Sequence, residues 1–341
     1  MTTDQQPLAV TVGEPAGVGP ELIAALWRER TSHNLEPFMV VGAIEALALY
    51  FDADEMIAIQ NPGDAHLYFK SRLPVLDIPL AEPPRSGKLN PANATAVVEA
   101  IRIAAALAQS GKARGLVTGP IHKAVLRQGA ESNFAFTGHT DFLADCAGLS
   151  SDQVVMMFVS DDFRVAPLTH HLALREVPLA VTSERIKIAL RIMVQSLGDD
   201  FGLSSPRIAV CGLNPHAGEN GEFGREEIEI IRPAIDEMRQ HGLHIDGPFA
   251  ADSLFRPELR CTYDAILAMY HDQALTPVKA LGFGKAVNLT LGLPYIRTSP
   301  DHGTALDIAG NGTANVDGFL AAIKLAERLD SNRSGRISRV A

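Results

Sequence analysis

Short apolar runs, each the length of a single strand, recur along the whole chain and alternate with segments whose apolar residues repeat at helical spacing. This alternation constrains the fold most, because strands separated by helix-length crossovers pair in parallel, and a parallel sheet buries both faces under helices. LAVTV at 8–12 runs into the glycine-rich GEPAGVG, and Pro20 stands where a first helical residue belongs, ahead of ELIAALW. Residues 91–109 read as a helix with Val97, Ile101, Ala104, Ala105 and Ala108 on one face and Gly111 as its stop. Further strands are expected at 116–120, 154–159, 163–169, 207–213, 265–270 and 286–291, with helices such as 183–196 and 226–240 between them. Residues 79–90 read as a long loop, and the polar tail from 331 is expected to fray.

A chain of 341 residues supports two lobes better than one core. The expected fold class is therefore a two-lobed α/β/α architecture with mainly parallel sheets, and the absence of a flexible linker implies that the lobes share chain crossings. Hydrophobic residues at 46% and charged ones at 21% are those of an ordinary globular protein. Cys146, Cys211 and Cys261 are too scattered for a disulfide framework or a thiolate metal site, which fits a reducing compartment. The start MTTDQQPLAV lacks a basic export signal and no apolar run approaches a membrane span, so a cytoplasmic protein is expected. A formal charge of −10 argues against nucleic acid as a partner. Any anionic ligand has to be captured by a local basic cluster working against that field.

Three histidines stand directly after expected strands: His171 in THHLAL, His216 in NPHAGE and His271 in YHDQ. Any one alone is more often a loop histidine hydrogen-bonded to backbone. Together they matter, because loops after different strands of an open parallel sheet converge on one rim. Their separations match no local zinc motif, so position rather than spacing makes them candidate metal ligands. Neutral imidazoles suit zinc and its neighbours, and three ligands with an open position describe a catalytic centre. Asp272 and Glu219 are the carboxylates placed to orient His271 and His216. Alternation along a strand lets only one of His170 and His171 reach the cleft, and the residues alone do not choose.

GEPAGVGPE (13–21) offers helix N-terminal amides to a ligand, but its spacing is not the dinucleotide fingerprint, and a tight structural turn explains it equally well. More specific is SPDHGTALDIAGNGTAN (299–315), which resembles the cofactor loop of isopropylmalate and isocitrate dehydrogenases; GEPAGVGPE similarly resembles their N-terminal turn. With GHTDF (138–142), NPHAGE, YHDQALTPVK and VNLTLGLPYIRTSPDHGTA, the chain resembles the 4-hydroxythreonine-4-phosphate dehydrogenase family from about residue 8 to 325.

That resemblance implies an isopropylmalate-dehydrogenase-like fold, a divalent metal (zinc, cobalt, magnesium or manganese) on His171, His216 and His271, and NAD or NADP held by Gly17, Gly19, His302 and Asp307. It aligns His171 rather than His170 as the ligand. It implies substrate contacts from His139, Thr140, Lys279, Asn288 and Arg297, with Lys279 also a candidate catalytic base. The implied reaction oxidises 4-phosphooxy-L-threonine at C3 and decarboxylates the product to 3-amino-2-oxopropyl phosphate, in vitamin B6 synthesis. Relatives acting on erythronate or threonate phosphates or on cis-dihydrodiols, and a phosphotransacetylase-like acyltransferase, are the alternatives. The family's site draws ligands from two subunits, which implies a homodimer. The lobes are expected at 1–125 plus 297–341, on the cofactor side, and at 126–296, carrying substrate, metal and dimer interface. His170, Ala173 and Asp141 depart from the family's usual threonine, proline and glutamate.

Overall fold

The computed structural model describes residues 6–129, 138–161, 163–282 and 284–340, without the side chains of 336–340. The described strands are β1 (Leu8–Thr11), β2 (Phe38–Gly42), β3 (Met56–Ala58), β4 (Leu73–Asp77), β5 (Leu116–Thr118), β6 (Val155–Val159), β7 (Arg164–Pro167), β8 (Arg207–Cys211), β9 (His244–Phe249), β10 (Ala265–Ala268), β11 (Val287–Leu291) and β12 (Arg297–Pro300). The longer helices are α1 (Gly19–Arg28), α2 (Ala94–Gln109), α3 (His139–Cys146), α4 (Ser183–Asp199), α5 (Arg232–Gln240), α6 (His271–Leu281) and α7 (Asp317–Val340). The chain divides into two compact units, one from Met1–Leu149 and Leu293–Asp330, the other from Ser150–Gly292 and Ser331–Ala341.

In the first unit the strands run β3-β4-β2-β1-β5-β12, and every pairing is parallel. The chain leaves β1 towards β2 on one side and returns to β5 on the other, so the sheet has its topological switch point at the carboxyl ends of β1 and β5. GEPAGVG follows β1 there and Gly119-Pro120 follows β5. The expected apolar stripe of α2 is buried, with Ala100 added, and α2 lies over β1 and β2. Each of its larger aliphatic side chains contributes about 1.5–3 kcal/mol by leaving water. One helix, Pro91–Gln109, is long and apolar enough to cross a membrane by length and composition alone. Its apolar residues are used instead on the core face of this unit.

The second unit orders its strands β11-β6-β7-β10-β8-β9. The pairs β7-β10, β10-β8 and β8-β9 are parallel, whereas β11-β6 and β6-β7 are antiparallel. Its core gathers Met156, Phe158, Val165, Ile266, Ala274 and Val278. Ala274 and Val278, one helical turn apart, are the face that α6 buries.

Most expected strands recur but stop short at their carboxyl ends, because apolar residues continue past the last ladder bond into the loops. The tail does not fray as expected: α7 continues to Val340, with Asn332 donating to the Asp200 carbonyl at 2.8 Å and Arg333 paired to the buried Asp200 carboxylate.

Gly13 sits at the switch point with φ +77°, and a Cβ there would lie 2.4 Å from the Pro120 carbonyl oxygen. Gly13→Ala is expected to destabilise the protein by about 2–4 kcal/mol, from left-handed backbone plus overlap. A urea melt with an unchanged slope and a lower midpoint is the expected record; an unchanged midpoint would contradict the packing of this turn.

Candidate active site

The parallel pairing of β7, β10 and β8 puts the loops after these strands on one sheet edge, and each of the three expected histidines occupies one of them. The His171 and His271 rings lie 6.0 Å apart, centre to centre, and both line a cavity of about 490 Å³ with Thr169, Leu174, Val177 and Tyr270. His170 packs edge-on against His171 at 5.2 Å. His216 lines a different cavity of about 650 Å³ with Glu219, Glu227, Ile228 and Arg232. Among the described residues no group of three or more His, Cys, Asp or Glu side chains is close enough to hold a metal ion. The histidines thus share an edge within one chain without forming one cluster.

Their orientation nevertheless suits ligation. His271 Nδ1 lies 2.7 Å from Asp272 Oδ1, and His216 Nδ1 lies 2.8 Å from Glu219 Oε2. A carboxylate on Nδ1 fixes the proton there in the neutral ring and leaves the Nε2 lone pair as the donor, the arrangement a divalent metal uses. Both carboxylates are those expected from the sequence. His171 and His216 have φ of 55° and 52°, a left-handed conformation that non-glycine residues adopt mostly where a site demands it.

Gln273, two residues beyond His271, joins two of the loops. Its Oε1 accepts from the Met269 amide at 2.7 Å, and its Nε2 donates to the Gly212 carbonyl at 2.8 Å. Thr169 Oγ1 donates to the Met269 carbonyl at 2.8 Å, tying the His171 loop to the same point. Lys279 is exposed in the last turn of α6, and helix rise separates it from His271 by about 12 Å along the axis. Asn288 on β11 is half-buried, with Nδ2 3.2 Å from Met156 Sδ. Its buried Oδ1 has no hydrogen-bond partner among the described residues.

In the first unit Arg297 opens β12 at 1% exposure, with Nη2 donating to Thr118 Oγ1 at 2.6 Å. Burial pushes its pKa down to about 10, which leaves it a cation at neutral pH. His139 starts α3, where Gly138 is the N-cap, so Thr140 lies inside the first turn rather than capping it. Burial, then the charges of Arg297 and Lys123, hold the His139 imidazole well below its ordinary pKa. Lys123 Nζ lies 3.4 Å from where a Gly138 Cβ would be. Arg297 and Lys123 thus bring two positive charges to bear on the His139 ring, a local concentration of positive charge within a chain of formal charge −10.

Gly17 and Gly19 are packed against the chain itself: a Cβ on Gly17 would meet the Thr304 carbonyl oxygen at 2.9 Å, and one on Gly19 the Val12 carbonyl oxygen at 2.1 Å. The two cofactor-like segments do meet. Val18 N donates to the Thr304 carbonyl at 3.0 Å, and the nearly buried Glu21 carboxylate accepts from Gly310 N at 2.8 Å. His302 and Asp307 are exposed on that loop, with His302 Nδ1 donating to the Gly303 carbonyl at 3.0 Å.

Two-dimensional NMR of the imidazoles tests the cluster. His139 is expected to titrate below 6.5, its usual value, and its midpoint should rise when inorganic phosphate is added, since an anion favours the protonated ring. The unfolded chain takes up this proton as pH falls below about 6.5 and the folded chain resists it, so acid destabilises the fold through His139 until its depressed pKa is reached. A midpoint at or above 6.5 in the ligand-free protein would contradict this environment.

Residues 35–326 match the family described as Pyridoxal phosphate biosynthetic protein PdxA. A 4-hydroxythreonine-4-phosphate dehydrogenase of Caulobacter vibrioides is 46% identical over 332 residues, 96% of this chain and 98% of the relative. The crystal structure of 4-hydroxythreonine-4-phosphate dehydrogenase from Klebsiella pneumoniae superposes with a TM-score of 0.84 at 37% identity, covering 96% of this chain and all of that one. A terephthalate 1,2-cis-dihydrodiol dehydrogenase from Burkholderia xenovorans superposes at 0.65 with 26% identity, over 95% of this chain and 98% of that one.

Proposed function

From the premise that this chain belongs to the PdxA family of pyridoxal phosphate biosynthetic proteins, we propose that it oxidises 4-phosphooxy-L-threonine at C3 with NAD or NADP and releases the product as 3-amino-2-oxopropyl phosphate and carbon dioxide. The observation that carries the reading is the pair of carboxylate-oriented histidines, His216 with Glu219 and His271 with Asp272, on one edge with His171. Hydride leaves C3 for the nicotinamide and the hydroxyl proton leaves for a base, giving a β-keto acid. That acid loses its C1 carboxylate as carbon dioxide, and the electron pair from the broken bond is taken up by a proton at C2.

A divalent metal bound by His171, His216 and His271 would polarise the C3 oxygen for both steps. The rest falls to the chain. Arg297, His139 and Thr140 are the proposed donors to the substrate's anionic groups; a buried guanidinium suits phosphate or carboxylate by its paired N–H groups. The Asn288 Oδ1, buried without a partner among the described residues, suits a substrate N–H or O–H. Lys279 is the proposed base. His302 and Asp307, with the turn containing Gly17 and Gly19, are the proposed nicotinamide-side residues, supported by the contact between these segments.

A second copy of the chain completes the reading. Leu174 and Leu179, 70% and 85% exposed, follow His171 closely, and Phe223 and Ile228 are exposed near His216. Exposed large apolar side chains of this kind are what a homodimer covers. Ligands supplied by two copies account for a histidine set that one chain leaves dispersed.

With 4-phosphooxy-L-threonine, a divalent metal and NAD or NADP, reduced cofactor should accumulate, and Asp272→Asn should slow turnover about 10–100-fold, the usual effect of losing an orienting carboxylate. Turnover of a cis-dihydrodiol but not of the phosphorylated substrate would replace this reading with that of the more distant relative. Leu174→Glu with Leu179→Glu is expected to give monomers in sedimentation analysis, with loss of turnover. Active monomers would exclude a shared site.

A further inference from the structure

The carboxylate of Glu227 takes no part in the chemistry above, yet it is 1% exposed, and burying a charge is costly unless its oxygens are hydrogen-bonded. Its partners all belong to the loop of His216. Asn214 N donates to Oε1 at 2.7 Å, and Asn214 Nδ2 donates to Oε2 at 3.0 Å and to Glu226 Oε2 at 2.7 Å. Glu227 opens a π-helical turn, Glu227–Ile231, ahead of α5, an irregularity found often at functional sites. Two glycines make room for the carboxylate: a Cβ on Gly218 would lie 2.6 Å from Oε2, and one on Gly212 3.0 Å from Oε1.

Between these contacts the backbone turns left-handed, with φ of 52° at His216, 51° at Ala217, 40° at Glu219 and 57° at Asn220. Each non-glycine residue in that conformation costs roughly 1–2 kcal/mol, so the run persists only because its surroundings determine it. Glu227 grips its start at Asn214 and fills the space against Gly218 at its middle. Ala217 N to the Asn214 carbonyl at 3.1 Å and Phe223 N to the Gly218 carbonyl at 3.2 Å close the turn around that carboxylate.

We infer that Glu227 is the positioning residue for His216: it holds the backbone in the left-handed turn that presents the imidazole, while Glu219 sets the ring. The inference rests on the proposed ligand role of His216 only for its effect on metal. Full-length Glu227→Ala and Glu227→Gln test it through three readouts: the His216 Cε1–H resonance of the metal-free protein, assigned by its loss in His216→Ala; the Zn²⁺ affinity, by competition with a chromophoric chelator; and kcat against KM. In Glu227→Ala the His216 resonance should move or broaden while those of His33 and His241 stay in place. Zn²⁺ affinity should fall about 10–100-fold, and kcat should fall more than KM rises. Glu227→Gln, which keeps one acceptor for the Asn214 amide, should lie between the alanine variant and the wild type on each readout. A folded Glu227→Ala with the wild-type His216 resonance and Zn²⁺ affinity overturns the inference. If Glu227→Ala does not fold, a wild-type resonance and affinity in Glu227→Gln overturn it. If His216→Ala leaves Zn²⁺ affinity unchanged, the metal reading fails, and the metal-free resonance still decides the positioning role.

Discussion

Parallel pairing of β7 with β10 and of β10 with β8 is the constraint on which the second unit's site depends. Parallel neighbours send their carboxyl ends to one edge, and consecutive neighbours send them to adjacent places on it. Three loops widely separated in sequence therefore leave the sheet side by side, whatever their own composition. The antiparallel strands β11 and β6 flank this set, and Asn288 belongs to that flank rather than to the edge. The first unit repeats the logic with β1 and β5, whose carboxyl ends bring the glycine-rich turn against Gly119-Pro120.

Strand ends deliver loops to an edge without fixing where an imidazole points. That second step is made by polar groups: the half-buried Gln273 spanning Met269 and Gly212, the exposed carboxylates of Asp272 and Glu219 on the ring nitrogens, and the buried Glu227 carboxylate on the Asn214 amide. Each hydrogen bond contributes modestly to net stability, about 0.5–1.5 kcal/mol, or more with a charged partner. For Gln273 and Glu227 the greater effect is geometric, because leaving a polar group unpaired out of water costs more than the bond gains.

The sequence made the edge legible because strand type and loop position are local properties: Phe163 to Thr169, Arg207 to Leu213 and Ala265 to Tyr270 read as strands, and a histidine followed each. Asp272 and Glu219 were legible for the same reason, being one and three residues from their histidines. Glu227 was not, since it lies thirteen residues from Asn214 on a helical turn and reads as one acid in an exposed-looking GREEIE run. Nor was Glu21, whose partner Gly310 is 289 residues away. Gly17 and Gly19 were read as a ligand-facing turn as readily as a structural one, and their missing side chains are explained by close backbone contacts that no pattern in the sequence displays. The strand β12 was missed because Arg297-Thr-Ser-Pro carries no apolar signal, although all four residues are buried.

Arg297 also bears on how an anion approaches. The whole molecule carries a formal charge of −10, and that field repels a phosphorylated metabolite at long range. The guanidinium that would receive it is buried at the start of β12, apart from the counterions that damp surface charges. Salt screens the first effect far more than the second, since exposed charges are damped over about 8 Å at physiological ionic strength and buried ones much less. Added salt would therefore relieve the long-range repulsion more than it weakens a contact with Arg297, the reverse of what a positively charged surface funnel would experience.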